Sequence, residues 1–196
     1  MKKTSMKESV YILKAPFVWL VRIGRCKGFG VQSPNDYSFV CNVVNSHRHH
    51  EAYDELAARY PADGRLARKL GRLCMRIAAF RRPEVIVNGC GGSIEAYLRA
   101  GCADAAVTAD SCDATTVDLL VVPATVDGEA LTARSMAKLT GRSLLVIVGI
   151  KENRAARRFW QALVADERVG VTFDLYYAGV AFFDKKRYKQ NYKINF

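Results

Sequence analysis

A glycine-rich segment followed by an acidic residue is the pattern in this chain that most clearly indicates chemistry. The apolar run 85–87 leads into the glycine-rich segment 88–92, and a second apolar run ends about twenty residues later at Asp110. Glycines after a strand let a ligand approach the backbone, and a carboxylate after the next strand can accept hydrogen bonds from ribose hydroxyls. A tight turn without a ligand is the alternative for the glycines alone. The spacing predicts a nucleotide-type site with the candidates Asn88, Gly89, Cys90, Gly91, Gly92 and Asp110.

Other residue types that could carry out chemistry form no recognisable constellation. Cys90 stands before a predicted helix, where a thiol can be reactive, although a buried inert thiol is the alternative. His47, His49 and His50 have no acidic or cysteine partner that the sequence identifies, so we predict no metal site. The six cysteines form no CxxC pair, which favours reduced thiols in a cytoplasmic protein. We therefore name no catalytic residue.

Alternating strands and helices must position the candidate site. Continuous apolar runs are typical of strands buried on both faces, and hence of a parallel sheet covered by helices. Apolar residues at three- to four-residue spacing predict an amphipathic helix over 65–80. Residues 169–177 and 179–183 are two further β runs, and we predict an antiparallel hairpin with its turn at Ala178–Gly179. The predicted parallel strands occupy residues 85–87, 105–109, 117–122 and 143–148.

The length and charge of the chain limit the domain organisation and the partners that we expect. With 196 residues and 50% hydrophobic content, we expect an N-terminal helical arm (1–60) and one α/β domain (61–196). Lys14 and Pro16 interrupt the apolar run near the N terminus, which favours a docked or surface-lying helix over a signal peptide. The net charge of +11 favours polyanionic partners, so the basic termini are candidates for contact with nucleic acid, an anionic surface or another subunit.

Three strings resemble those of a known family. GVQSP (30–34), with Tyr37 close behind, is similar to a GVHSPF-type opening, and VTADSC (107–112) is similar to that group's VITLEGC. The string from 159 to 183 and the tail KQNYKINF resemble the C-terminal hairpin and tail of the same group. On these strings the chain resembles class I S-adenosylmethionine-dependent methyltransferases, in a bacterial GVHSP-type group. The resemblance implies a Rossmann-like fold, S-adenosylmethionine as cofactor, Asp110 as the ribose-binding acid and methyl transfer to an unidentified acceptor.

The chain departs from the family pattern in length. Only the six residues SCDATT separate Asp110 from the next apolar run, VDLLVV. A crossover to a parallel strand needs a dozen residues or more, so one βα unit is missing. The family order is 3-2-1-4-5-7-6, in which strand three lies at the edge, and its loss need not break the sheet. We therefore predict a Rossmann-like, mostly parallel sheet with a C-terminal antiparallel hairpin, one βα unit shorter than the family.

The chain also departs from the family at the ends of its strands. The acid that holds the methionine amino group in the family corresponds to Val87, and the family's FDD turn corresponds to Val148 and Gly149. Gln32 and Lys151 stand where the family has histidines. We therefore predict a degenerate or non-catalytic methyltransferase-like protein in which cofactor binding either survives or is lost. The alternative is a basic binding module for nucleic acid or an anionic membrane surface.

Overall fold

The computed structural model describes residues 3–28, 30–112, 114–184, 186 and 188–196, with the backbone alone for 3–9, 11–12 and 26–28. The helices are α1 Lys3–Val21, α2 Pro34–Phe39, α3 Ala52–Arg59, α4 Arg65–Arg81, α5 Gly92–Gly101, α6 Val126–Ser135 and α7 Arg154–Ala165. The strands are β1 Val85–Asn88, β2 Ala106–Thr108, β3 Val117–Pro123, β4 Leu139–Val148, β5 Val171–Asp174, β6 Ala178–Phe182 and β7 Gln190–Lys193. Short 3₁₀ segments occupy Ile23–Gly28 and Met136–Lys138, and Val40–Val44 continues α2 as a π-helical turn.

The strands form one sheet in the order β2-β1-β3-β4-β6-β5-β7. Strand β6 pairs antiparallel with β4 and β5, whereas the other pairings in the described chain are parallel. Only residues 109–116 connect β2 to β3, and β2 forms the edge of the sheet. The predicted mostly parallel sheet with a C-terminal antiparallel hairpin and no unit beyond β2 is confirmed.

Hydrophobic residues cover both faces of the sheet, as the continuous apolar runs predict. One face packs against α2, α4 and α5, with Phe39, Leu73 and Leu98 in its cluster. The other face packs against α6 and α7 and includes Leu131 and Trp160. Strands β3 and β4 lie between these clusters, which explains why their sequences lack the alternation of a half-exposed strand.

Two predicted boundaries near the C terminus are wrong. The turn of the hairpin is formed by Leu175–Tyr177, with Tyr176 at φ 69°, and Ala178–Gly179 belongs to β6. Strand β4 begins at Leu139 instead of Ser143. The N-terminal extension arises because Leu139 pairs with Val117 before the register shifts, after which Leu144 pairs with Leu119.

The N-terminal segment forms a helix on the surface of the molecule. Val18 is buried, whereas Leu13, Phe17 and Leu20 are exposed. The described residues include no helix long and apolar enough to cross a membrane. The π-helical turn after α2 places Val40, together with its neighbours, in the main hydrophobic cluster of the sheet. The boundary at residue 60 between an arm and a domain stays a prediction.

Candidate functional site

The glycine-rich loop lies between β1 and α5, as predicted. The Gly89 amide donates a hydrogen bond to the Val121 carbonyl at 2.8 Å, and the Leu131 side chain stands 2.7 Å from the place of a Cβ at Gly89. Gly91 and Gly92 have φ values of +60° and +57°, in the left-handed region that favours glycine. Apart from the adjoining backbone, no atom of the described residues lies within 4 Å of a Cβ built at either of them. The loop is therefore closed on the Leu131 side and open at Gly91 and Gly92.

Asp110 lies just beyond β2, but its carboxylate is already engaged. Oδ1 accepts hydrogen bonds from the amides of Ser111 and Cys112 and from the Cys112 thiol, and Oδ2 pairs with Arg134 of α6 at 3.0 Å. The Cys112 thiol, followed by Arg134, lowers the pKa of the Asp110 carboxyl below its ordinary value. Lys138 donates to the carbonyls of Ser111 and Cys112. These contacts bind the short β2–β3 connection to α6 and the segment after it.

The ends of the central strands present apolar or neutral groups. Val87 and Val122 are fully buried in the cluster that faces α6 and α7. The Asn88 side chain is buried; its Oδ1 accepts from the Cys90 amide at 3.1 Å, while its Nδ2 has no acceptor among the described residues. After β4 the chain turns at Gly149, whose φ is +89°. The described ends of β1 and β3 thus offer no carboxylate to a cationic ligand.

The surroundings of the cysteine and histidine candidates do not favour a chemical role. Cys90 packs against the hydrophobic cluster, and burial raises the pKa of its thiol to about 12. A thiolate is the nucleophilic form of cysteine, so this environment makes Cys90 unreactive near neutral pH. His49 pairs through Nε2 with Asp54 at 3.2 Å on the exposed surface. Within the described residues no group of three or more histidine, cysteine or acidic side chains could hold a metal ion.

A buried carboxylate that the sequence analysis did not single out lies at the end of β5. Asp174 Oδ1 accepts from the Arg22 guanidinium and the Tyr176 amide, each at 2.9 Å, and Oδ2 pairs with Lys151 at 2.8 Å. Arg22 also donates to the carbonyls of Asp174 and Ile194. Burial alone would raise the pKa of Asp174, but Lys151, Arg22 and the Tyr176 amide outweigh it and lower that pKa.

The signal for Asp174 was present in the sequence. Asp174 directly follows the residues VTF and is the last residue of β5. An acid at the carboxyl end of a strand lies where open α/β sheets bind ligands. Its partner Arg22 is 152 residues away in the chain, which no local pattern could reveal. The network joins the turn directly after α1 to β5 and to the segment after β4. Because two cations hold the carboxylate ionised, Asp174 is a poor proton acceptor.

A cavity of about 220 Å³ opens beside this network. Val148 and Gly149 line it from the end of β4, Leu66 and Leu70 from α4, and Tyr177 from the hairpin turn. Its position at the carboxyl ends of the strands is where ligands enter open α/β sheets. Lys14, Lys151 and Glu152 also line it, so charged groups stand at the edge of a mainly apolar space.

Comparisons with known proteins identify the fold. No family model matches the chain, and no curated protein matches it. The chain is similar to the SAH-bound methyltransferase PaMTH1 of Podospora anserina, with a TM-score of 0.52 and 15% identity over 79% of this chain and 97% of that one. It is also similar to a methyltransferase from Geobacter sulfurreducens, with a TM-score of 0.51 and 14% identity over 72% of this chain and 94% of that one. The chain therefore has the Rossmann-like fold of these methyltransferases.

Proposed function

We propose that this protein is a methyltransferase-like protein that no longer catalyses methyl transfer. The observation that carries the proposal is the engagement of Asp110, whose two carboxylate oxygens are bound by Arg134 and by the turn that follows β2. A ribose hydroxyl pair would have to compete with the Arg134 guanidinium for Oδ2. An acid at this position ordinarily binds the ribose hydroxyls of the ligand. In this chain its carboxylate instead binds groups of the protein itself.

The residues around the glycine-rich loop fit S-adenosylmethionine poorly. The loop itself is open at Gly91 and Gly92, which suits a ligand lying against the backbone. The amino end of the methionine moiety carries a positive charge, however, and the fully buried Val87 offers it no counter-charge. An ammonium group brought against this strand end would lose water without gaining an ion pair. The missing acid therefore supports loss of the cofactor site, even though the open loop is retained.

Neither Asp174 nor Asp118 is suited to act as a general base for methyl transfer. Asp174 is held ionised by Arg22 and Lys151, and a carboxylate with a lowered pKa accepts a proton weakly at neutral pH. Asp118 lies at the opposite end of its strand, where Oδ2 accepts from the amides of Glu84 and Val85 at 2.9 and 3.1 Å. Its role is to fix the entry into β1.

Calorimetric titration with S-adenosylhomocysteine tests the proposal. We expect the unmodified protein to bind it with a dissociation constant above about 100 µM, which corresponds to about −5.5 kcal/mol. Arg134→Gln releases Asp110 Oδ2, so any residual affinity should increase in that variant. Binding tighter than about 100 µM that disappears in Asp110→Ala would overturn the proposal, because Asp110 would then still bind the ligand.

The finer assignments rest on the sequence resemblance. Membership of the bacterial GVHSP-type group follows from the strings described above, and a cytoplasmic location follows from the cysteine pattern. Self-association is also part of the proposal, with the N-terminal arm as the candidate contact with another subunit. If methyl transfer persists, we expect the glycine-rich loop and Asp110 to form the cofactor edge. Activity assays against a panel of methyl acceptors would then show turnover that Asp110→Ala abolishes.

A further inference from the structure

A second cavity lies along α4, and the side chains that α4 contributes to its walls are basic. Its volume is about 480 Å³, and the segment 44–47 and Phe196 form the wall that faces the helix. We call it the α4 basic cavity. The α4 residues that line it are Arg65, Arg68, Lys69, Arg72 and Arg76.

Four of the five cations that line this cavity have no acidic partner in an ion pair among the described residues. Arg68, Lys69, Arg72 and Arg76 form no ion pair with any acidic side chain in the described part of the chain. Asp63 lies before the helix, yet its buried Oδ2 has no hydrogen-bond donor there either. Like charges three and four residues apart on a helix repel each other, so the unliganded cavity is electrostatically unfavourable.

The position of the cavity at the amino end of α4 adds to this electrostatic repulsion. The first turn of α4 contains no acidic residue, although the amino end of a helix favours negative charge. Arg65, Arg68 and Lys69 instead place three cations in the first turn and a half. A sequence that conflicts with local electrostatics in this way is typical of a functional site.

Two arginines and a lysine of the cavity are partly withdrawn from water. The Nε atoms of Arg68 and Arg72 are buried and have no acceptor among the described residues. The Arg72 guanidinium lies over the Tyr53 ring, 4.9 Å from its centre, and Lys69 Nζ lies 4.4 Å from the centre of the Phe196 ring. Desolvation, followed by the charge of Arg76, lowers the pKa of Lys69 to about 8.

Arg76 holds the wall of the cavity in place. Its Nε donates to the Val43 carbonyl at 2.6 Å, and its Nη atoms donate to the Val44 carbonyl and the Tyr53 hydroxyl at 3.0 and 3.4 Å. These bonds fix the end of the π-helical turn against α4. Arg68, Lys69 and Arg72 are thereby left around a preformed concave space.

We propose that the α4 basic cavity binds a phosphate group, with Arg68, Lys69 and Arg72 as its direct partners. Planar guanidinium groups match phosphate geometry through paired hydrogen bonds, and a lysine adds a point charge. An anion here would neutralise the cations whose pairing the chain leaves incomplete. The site is separate from the glycine-rich loop and does not depend on whether methyl transfer persists.

Titration calorimetry with tripolyphosphate tests this site. We expect saturable binding by the unmodified protein and a loss of affinity of about tenfold or more in Arg68→Gln/Arg72→Gln, because each change removes a charge-assisted hydrogen-bonding group. Arg68→Lys/Arg72→Lys keeps both charges but not the paired geometry, so its loss should be smaller than that of the glutamine variant. Circular dichroism checks that each variant is folded.

The matched control is Arg157→Gln/Arg158→Gln on α7, which removes the same charge from two exposed arginines. This variant should bind tripolyphosphate as the unmodified protein does. An equal loss of affinity in the control would show that binding follows the overall charge and would overturn the proposal. Absence of saturable binding to every phosphate probe would overturn it as well.

A parallel titration distinguishes a soluble phosphate from a lipid headgroup. The probe is a vesicle of phosphatidylcholine with phosphatidylglycerol, and vesicles of phosphatidylcholine alone serve as the blank. If the protein binds tripolyphosphate through Arg68 and Arg72 but does not bind the vesicles, the cavity is assigned to soluble phosphorylated molecules. Vesicle binding that the glutamine variant loses and the α7 control retains assigns it to lipid phosphate.

Discussion

Two aspartates at strand ends show how the same side chain acquires different roles. Asp110 is partly exposed and bound by a surface arginine and its own turn, whereas Asp174 is buried and bound by Arg22 and Lys151. Surface ion pairs contribute little to stability, but removal of one partner from a buried pair leaves an uncompensated charge. We therefore assign Asp174 to holding the turn after α1 against the sheet rather than to chemistry.

Asp174→Asn should lower the free energy of unfolding by about 3 kcal/mol, because Arg22 would remain buried without its counter-charge. Urea unfolding at neutral pH measures the change. Glu95→Gln is the control, since Glu95 forms an exposed pair with Arg99 four residues along α5, and its loss should stay below about 0.5 kcal/mol. Equal effects in the two variants would show that the buried network contributes no more than a surface pair.

The same variant makes a prediction about pH. The pKa of Asp174 is lowered in the folded protein, so its stabilising contribution is complete above the unfolded pKa of about 3.9 and is lost as pH falls through the folded pKa. The difference in unfolding free energy between the unmodified protein and Asp174→Asn should therefore shrink as pH falls below about 4. A difference that stays constant between neutral and acidic pH would contradict this assignment.

At the scale of the elements, α4 and α5 are joined by a close contact at Gly71. A Cβ on Gly71 would lie 2.3 Å from the ring of Tyr97, which is fully buried. Alanine gains about 1 kcal/mol over glycine in a helix, whereas overpacking a core costs about 1–3 kcal/mol. The packing cost should exceed the helical gain because Tyr97 has little space to move.

Gly71→Ala should therefore lower the free energy of unfolding by about 1–2 kcal/mol. Thermal or urea unfolding measures the effect. In the background of Tyr97→Leu the ring is absent, and the same change should become neutral or stabilising. A destabilisation that persists in that background would place its cause elsewhere than in the α4–α5 contact.

The elements were predictable where burial leaves a plain pattern in the sequence. Strands β3 and β4 are apolar throughout because both of their faces are covered, and α4 shows the spacing of a helix with one buried face. The hairpin turn was missed because Tyr176, a bulky residue, takes the left-handed conformation there. Gly179 is required for packing, since a Cβ on it would lie 2.4 Å from Trp160.

The sequence predicts where the candidate site lies in the fold, but it does not predict the contacts that its side chains make. The glycine-rich loop and Asp110 lie at the ends of β1 and β2, as their spacing predicts. Arg134, which engages Asp110, is 24 residues further along the chain. Only the folded molecule brings α6 to the end of β2, and no sequence period encodes a contact of this kind.

At the scale of the whole molecule, the C-terminal tail joins the sheet to the N-terminal segment. Strand β7 pairs with β5, and the Tyr192 ring stacks on Phe173 at 5.4 Å between ring centres. Ile194 is buried, and its carbonyl accepts from Arg22. The aromatic residue at 192 therefore packs on the domain, the alternative to base stacking that the family resemblance favours.

Ile194→Ala should lower the free energy of unfolding by about 3 kcal/mol, because it leaves a cavity in a buried position that links both ends of the chain. Thermal unfolding followed by circular dichroism measures the loss. Lys193→Ala changes the neighbouring exposed residue and should alter stability by less than about 0.5 kcal/mol. If Ile194→Ala and Lys193→Ala were equally stable, the C-terminal tail would not unfold cooperatively with the rest of the domain.

The short strand at the margin of the sheet limits what else can join it. Strand β2 has three residues, of which Ala106 and Thr108 are exposed. Unpaired backbone groups along a long, flat margin are the template on which foreign strands add and fibrils grow. Three residues present too few such groups for an invading peptide to hold its register. The short β2 thus forms a border that discourages amyloid-like recruitment at this side of the sheet.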